Sequence, residues 1–227
     1  MELTLRQEIL KCSGPLLDRH EWASLEALWR PYVDEGDLDA QAYLAYMCLW
    51  CFDQTEEKDR EMRGFLRAAS NAGHVDAMYW LAKFSTPEGS ERDDLLKVAA
   101  ERGSRGAQRD LGAMYATGDW TAGKDPAKAV SWYRLAAEGG HDDAQYNLGF
   151  MYILGEGTGP NVDEGLLWLS RSADRGNASA MRLLADLYRH GYYGVPLDIA
   201  EAVRWDETYA KTEQPGRIYL HDLEGSL

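Results

Sequence analysis

The sequence predicts an all-α solenoid, in which antiparallel helix pairs follow one another along the chain. Three observations support this prediction. A pattern of small, apolar and aromatic residues returns at intervals of 30 to 37 residues. Each copy contains two segments of helical periodicity, and helix-capping signals flank those segments. Because one short helix pair cannot bury its apolar side alone, the copies are expected to stack into a continuous core.

The first helix of each copy begins at an alanine and continues with a leucine, a small residue and an aromatic or sulfur-containing residue. A clear copy is Ala144, Leu148, Gly149, Met151 and Tyr152. Positions i, i+4, i+5 and i+8 lie on one side of an α-helix, so this side should pack, with the small residue letting a neighbouring helix approach. The leading alanines, 37, 30, 37 and 36 residues apart, are Ala40, Ala77, Ala107, Ala144 and Ala180.

The second helix of each copy is expected to start at a capping residue and end at a glycine. Asp125 followed by Pro126 is typical of an N-cap and a first helical residue. Asn161 with Glu164, and Asp198 with Glu201, are typical of capping boxes. The glycines expected in the left-handed conformation just past these helices are Gly73, Gly103, Gly139 and Gly176.

The repeats divide the chain into three parts. Residues 1–38 are expected to form N-terminal capping helices, residues 39–212 about five repeats, and residues 213–227 a C-terminal tail or cap. The segment Thr86-Pro87-Glu88-Gly89 replaces the long glycine-rich turn of later copies, which predicts a local irregularity. The apolar residues of the tail either cover the last helix pair or remain open to a partner; they are Ile218, Tyr219, Leu220 and Leu223.

The composition narrows the possible partners and compartment. Acidic residues number 38 against 24 lysines and arginines, for a net charge of −14. Nucleic acid and anionic membranes both attract cationic surface, so neither is an expected partner. The start of the chain lacks the basic and then apolar residues of a signal peptide. Three cysteines are too few to stabilise a chain of this size by disulfide bonds. We therefore expect a cytoplasmic protein.

The sequence offers no convincing metal or cofactor site. Cys48 and Cys51 form a C-x-x-C, but no second pair and no histidines at ligand spacing accompany them. Cys48 also falls at a core position of the repeat. His74 and His141 recur at equivalent loop positions, where each is expected to meet the C-terminal dipole of the preceding helix.

Catalytic residues are not expected either. The run from Gly155 to Pro160 superficially resembles a phosphate-binding loop, but no strand precedes it and no Lys-Ser or Lys-Thr follows. It occupies the turn between two helices of one repeat. No serine lies in a G-x-S-x-G motif, and the carboxylate pairs sit at helix starts or in turns. The chain is therefore expected not to be an enzyme.

The strongest copies resemble a known family. The run Ala144, Leu148, Gly149, Met151, Tyr152, Gly155 and Gly157, followed by Trp168, Ala173 and Gly176, is similar to a Sel-1-like repeat. The resemblance covers about residues 39–211. It implies a right-handed solenoid related to tetratricopeptide repeats. It also implies a scaffold or adaptor that binds other proteins, often in bacterial signalling, secretion or interbacterial competition.

The concave side of such a solenoid is the predicted partner-binding face. Positions two and six residues after each leading alanine point away from the packed side, and they combine aromatic and charged residues as interface cores do. Two small members of this set are Ala42 and Ala113. The predicted binding residues are Tyr46, Tyr79, Lys83, Arg109, Tyr146, Phe150, Arg182 and Asp186.

The partner is expected to be a single protein, bound by a monomer or a weakly self-associating form of the chain. One hypothesis is a bacterial immunity protein that neutralises a toxic effector, whose basic surface the acidic chain would steer into contact. The alternative is an adaptor that assembles a signalling or secretion complex. A purely structural module, stacked at both ends on further repeats, is a third possibility.

Overall fold

The computed structural model describes residues 22–48, 55–84, 90–119 and 123–212, and these residues form eleven α-helices and one short 3-10 helix, with no strand among them. They divide into two compact units between Ser104 and Arg105. In each unit, successive helices pack side by side and reverse direction at short turns. The predicted all-α fold class is confirmed.

The described residues of the first unit form five helices, each packed on the next. They are α1 (Trp22–Asp34), α2 (Leu38–Cys48), α3 (Glu56–Asn71), α4 (Val75–Phe84) and α5 (Ser90–Glu101). Their shared core is aromatic at its centre, where the rings of Tyr43 and Trp80 meet edge-on at 5.9 Å. Leu44, Met62 and Leu66 close around these rings without solvent exposure.

The second unit contains six helices in three pairs. They are α6 (Arg105–Thr117), α7 (Pro126–Glu138), α8 (Asp142–Leu154), α9 (Val162–Asp174), α10 (Ala178–His190) and α11 (Ile199–Thr212), and the 3-10 helix Tyr192–Gly194 lies between the last two. Two apolar clusters form its core. One surrounds Leu148 and Tyr152, and the other surrounds Leu169, Leu184 and Trp205.

The small residues of the repeat hold paired helices close together, as predicted. A Cβ added to Gly112 would lie 2.6 Å from a ring carbon of Tyr133. A Cβ on Gly149 would lie 2.8 Å from the carbonyl oxygen of Gly165 and 2.9 Å from the side chain of Leu169. No real Cβ tolerates such distances, so glycine is required at both positions by packing rather than by backbone conformation.

The predicted caps start the second helix of each pair in this unit. The side chains of Asp125, Asn161 and Asp198 accept hydrogen bonds from the backbone N–H three residues later, at 3.1, 3.1 and 3.0 Å. Pro126 follows Asp125 at the first helical position. Each cap satisfies one of the N–H groups that a helix start leaves without an intrahelical partner.

The glycine turns between pairs agree with the prediction at three positions and differ at one. Gly73, Gly103 and Gly176 have φ values of 94°, 97° and 99°. At the third turn the left-handed residue is Gly140, with φ 90°, whereas the predicted Gly139 has φ −70°. The helix α7 continues one residue further than expected, so the second glycine, Gly140, adopts the left-handed conformation at which the chain reverses direction.

The predicted role of the two loop histidines is wrong for His74. Its Nδ1 accepts a hydrogen bond from the N–H of Ala77 at 3.1 Å, and its Nε2 lies 3.0 Å from a carboxylate oxygen of Asp39. The imidazole therefore caps the start of α4 rather than meeting the end of α3. The side chain of His141 is nearly buried, and its Nδ1 lies 3.8 Å from a carboxylate oxygen of Asp142, at the start of α8.

Several sequence predictions lie outside the described residues. They concern residues 1–21 of the predicted N-terminal capping helices, the irregular turn at Thr86–Gly89, Cys51 of the C-x-x-C, and the tail 213–227. Cys48 lies at the end of α2, but its side chain is also outside the described set. The division of the chain into 1–38, 39–212 and 213–227 stays a prediction.

Candidate functional site: a row of residues on the first helices

The helices α6, α8 and α10 are the first, or A, helices of the three helix pairs of the second unit. Equivalent positions on them form what we call the A-helix row of the second unit. The row consists of Arg109, Ala113, Tyr146, Phe150, Arg182 and Asp186. All six are at least partly accessible to solvent, and the two on α10 are exposed. Accessible aromatic, basic and acidic side chains thus recur at the spacing that the sequence predicts.

Two aromatic rings stand at the centre of the row. The rings of Tyr146 and Phe150 are parallel, with an interplanar angle of 2° and centroids 6.4 Å apart. Tyr146 also packs against the apolar cluster that contains Met181 and Leu184. Its ring therefore contributes to the core as well as to the surface. Substitution of Phe150 gives the clearer test of a binding role, because the core clusters do not include this residue.

Arg109 is held in place by two carboxylates. Its guanidinium lies 2.6 Å from Asp110 and 3.9 Å from Asp143. Asp143 also accepts a hydrogen bond from the side chain of Asn177 at 3.0 Å, and Asn177 in turn caps α10. This network joins α6, α8 and α10 and fixes the position of the cation relative to the aromatic pair.

Asp143 and Asn177 were not predicted from the sequence as members of this network. The signal was present, because Asp143 lies three residues before Tyr146 and therefore on the same helix face. The network also surrounds Tyr133, whose phenol is buried beside it. Burial raises the pKa of Tyr133 to about 12, with Arg109 opposing and Asp110 and Asp143 adding to the shift. Tyr133 therefore stays neutral at physiological pH and acts as a packing residue.

On α10 the row continues with residues that contact the last helix. The guanidinium of Arg182 lies 6.0 Å from the ring centroid of Tyr209. Asp186 accepts a hydrogen bond from Arg189 at 3.0 Å, and Arg189 also bonds Asp206 of α11. Arg182 is thus a cation that sits above an aromatic ring, while Asp186 is part of a surface ion-pair chain.

The predicted residues of the first unit have mixed environments. Tyr46 stacks on Trp80 with centroids 4.4 Å apart and packs against the core. The ammonium group of Lys83 bonds the hydroxyl of Tyr79 at 3.0 Å and is exposed. Ala42 is completely buried, so its predicted place on an open face is wrong. A role in partner binding stays a prediction for Tyr46, Tyr79 and Lys83.

A second accessible group, which the sequence analysis did not identify, lies in the turn between α10 and α11. Tyr192 and Tyr193 are 53% and 58% exposed, and Leu197 and Ile199 beside them are 66% and 52% exposed. Tyr193 has φ 56°, the only positive φ of a non-glycine residue among those described. The doubled tyrosine between two glycines, Gly191 and Gly194, was the available signal.

Within the described residues, no group of three or more histidine, cysteine, aspartate or glutamate side chains is arranged to hold a metal ion. No helix among them is long and apolar enough to cross a membrane.

Stacked antiparallel helix pairs, close glycine contacts and capped turns define an α-helical repeat protein, a class that generally mediates protein–protein interaction. A family model of the Sel1 repeat matches residues 106–141, 142–177 and 178–205. These residues are therefore three Sel1 repeats, and the predicted resemblance to the family is confirmed. The assignment of residues 39–104 to two further copies stays a prediction.

Solved structures with the same fold come from several bacteria. A Sel1 repeat protein from Oxalobacter formigenes is 26% identical, with a TM-score of 0.73 over 90% of this chain and 87% of that one. A protective antigen with an SLR fold from uropathogenic Escherichia coli is 29% identical, with a TM-score of 0.66 over 81% of this chain and 40% of that one. An immunity protein from Pseudomonas aeruginosa is 19% identical, with a TM-score of 0.66 over 89% of this chain and 78% of that one. No curated protein matches the sequence significantly.

Proposed function

We propose that the chain binds a single protein partner through the A-helix row of the second unit. The observation that carries this proposal is the parallel pair Tyr146 and Phe150, partly accessible and flanked along the row by Arg109 and Arg182. Aromatic and arginine side chains dominate the binding energy of protein interfaces. The carboxylates around Arg109 reduce its freedom before binding, which lowers the entropy cost of forming a complex.

The finer proposal is that the bound partner is a toxic effector and that the chain is its immunity protein. Its support is the likeness of fold to the Pseudomonas aeruginosa protein, which is itself named an immunity protein, together with a net charge of −14. An acidic protein accelerates encounter with a basic partner by electrostatic steering. Occlusion of an active site by the row would then suppress the effector.

The alternative is an adaptor that assembles a signalling or secretion complex. The accessible tyrosines of the turn before α11 favour it, because Tyr192 and Tyr193 offer an apolar surface separate in sequence from the row. An adaptor needs two partners at once, whereas an immunity protein needs only one.

Both proposals are tested by capturing partners from the native cells with the wild-type protein and with Phe150→Ala. Mass spectrometry identifies the partner, and calorimetry then measures its Kd with each purified variant. We expect Phe150→Ala to weaken binding by about 2 kcal/mol, or roughly 30-fold in Kd, as for a residue at the centre of an interface. The matched control is Leu135→Ala, which removes an accessible apolar side chain, 49% exposed, from α7.

The outcomes separate the proposals. A captured effector whose toxicity in a susceptible strain is suppressed by the wild type and by Leu135→Ala, but not by Phe150→Ala, supports immunity. Two partners that bind simultaneously support the adaptor. Unchanged binding by Phe150→Ala, with thermal stability equal to that of the wild type, contradicts the A-helix row as the interface.

A further inference from the structure

We infer that Arg105 and Arg175 form a binding site for a carboxylate group of a protein partner, at the turn between α7 and α8. This site lies on the turn between two helix pairs and is independent of the A-helix row. Its elements are two guanidinium groups that approach the same glycine, Gly140, one from 35 residues before it and one from 35 residues after it. We call it the Gly140 turn site.

The first element is Arg105, whose side chain lies in space that a side chain at position 139 would otherwise occupy. Its Nη1 donates a hydrogen bond to the carbonyl oxygen of Gly139 at 2.6 Å. A Cβ on Gly139 would lie 2.6 Å from Cδ and 3.0 Å from Cγ of Arg105. Because Gly139 has the ordinary right-handed φ of −70°, its backbone does not require glycine. The absent side chain instead leaves room for the Arg105 stem to lie across the turn.

The second element is Arg175, which follows the last residue of α9. Its Cζ and Nη1 atoms lie 3.8 and 3.9 Å from the position that a Cβ on Gly140 would occupy. The Nη1 of Arg105 lies 3.9 Å from that same position. Two guanidinium groups thus border one small space, which stays open because Gly140, with φ 90°, carries no side chain.

Some arginines among the described residues pair with a carboxylate and others do not. Arginines that do pair with aspartate or glutamate are Arg30, Arg63, Arg92, Arg109, Arg189 and Arg204. Among the described residues, no carboxylate lies within ion-pair distance of Arg105 or Arg175, although Asp174 is adjacent to Arg175 in the sequence. In a chain of net charge −14, two neighbouring guanidinium groups without a carboxylate partner among the described residues are set up for an external anion.

The geometry of the groups selects the ligand. A guanidinium presents a planar set of N–H donors that matches a carboxylate, and two of them can each bond one anion through their unused donors. Since helical repeat proteins bind proteins, the carboxylate belongs to a glutamate or aspartate side chain or to the C-terminus of a partner.

The test is a titration with three short peptides, followed through the NMR signals of the arginine Nε–Hε groups. The first peptide is Gly-Ser-Glu-Glu-Ser-Gly with an amidated C-terminus. The second replaces both glutamates by glutamine and keeps a free C-terminus, and the third has the same glutamines and an amidated C-terminus. We expect the first or second peptide, but not the third, to shift the signals of Arg105 and Arg175. Both signals should give the same Kd. The two arms distinguish a side-chain carboxylate from a C-terminal one.

Variants separate this site from general electrostatics. Arg175→Gln is expected to weaken peptide binding about tenfold, the loss typical of a charge-assisted hydrogen bond, without changing thermal stability. The matched control is Arg102→Gln, because Arg102 alone approaches the equivalent Gly73, with Nη1 3.5 Å from its Cβ position. Equal weakening by Arg102→Gln, equal shifts with the third peptide, or no shift with any peptide would overturn the inference.

Discussion

The backbone N–H of Asn161 donates a hydrogen bond to the carbonyl oxygen of Tyr152 at 2.9 Å, while the side chain of Asn161 caps α9. The same bond joins Asp125 to Tyr115 and Asp198 to Tyr188, both at 2.8 Å. One residue in each of these three repeats therefore joins the start of the second helix to the last turn of the first helix.

Loss of the Asn161 side chain should destabilise the second unit. Asn161→Ala removes the cap from the N–H of Glu164, and we expect the free energy of unfolding to fall by about 1 kcal/mol. Urea denaturation followed by circular dichroism measures the change. Asn161→Asp keeps an acceptor at the same position and should cost much less; an equal loss in both variants would show that the cap contributes nothing.

Substitution of Gly149 should be destabilising although alanine favours helices. The added Cβ would press on Gly165 and Leu169, and overpacking of this kind costs about 2 kcal/mol. Gly64 of α3 is the matched control, because a Cβ there would meet nothing within 4 Å. Gly64→Ala should therefore stabilise the protein by about 0.5–1 kcal/mol. Thermal unfolding measures whether Gly149→Ala lowers and Gly64→Ala raises the stability of the protein. A stabilising Gly149→Ala would contradict the close helix approach.

Tyr193 should be replaceable by glycine with a gain in stability. Its left-handed backbone, with φ 56°, costs a residue with a side chain about 1 kcal/mol more than glycine. Tyr193→Gly is expected to raise the free energy of unfolding by roughly this amount, measured by urea denaturation. Tyr192→Gly is the control, since Tyr192 lacks the positive φ; a gain of the same size there would mean that removal of exposed aromatic surface is responsible.

The stability of the first unit should depend on the ionisation of Glu26. Hydrogen bonds from Lys58 and then from Arg30 hold the pKa of Glu26 below its ordinary value. A carboxyl group with a lowered folded-state pKa stabilises the fold above its unfolded pKa of about 4.3 and loses that contribution as the pH falls through its folded pKa.

Glu26→Gln should therefore lower the free energy of unfolding more at pH 7 than at pH 3. Urea denaturation of both proteins at the two pH values measures the difference. Glu35→Gln serves as control, because Glu35 is exposed and forms no ion pair among the described residues. A Glu26→Gln effect of the same size at both pH values would argue against the ionised cluster with Lys58 and Arg30.

Much of the fold was predictable because the repeat encodes it locally. The caps at Asp125, Asn161 and Asp198 and the close contacts of Gly112 and Gly149 follow from residue type and helical period alone. The reversal at Gly140 rather than Gly139 did not, since both residues are glycines and only the length of α7 distinguishes them. The same limit applies to His74, whose imidazole could cap either the preceding or the following helix.

The candidate surface was predicted in outline but not in its contacts. Helical spacing placed Tyr146, Phe150, Arg182 and Asp186 on accessible faces, yet it also placed Ala42 there, which the core of the first unit buries completely. Period alone cannot report how far a neighbouring helix overlaps a given position. The Gly140 turn site was invisible for a related reason, because Arg105 and Arg175 are 70 residues apart in the sequence.

Residue type and the spacing of apolar residues were enough to predict the helices, their pairing and most of the glycines at their ends. These features depend on interactions within a few helical turns of chain. The partners of individual charged and aromatic side chains, such as Arg109 with Asp143 or Tyr46 with Trp80, were decided by tertiary packing. Such contacts join helices that are remote in sequence, and their geometry exists only once the helix pairs have stacked.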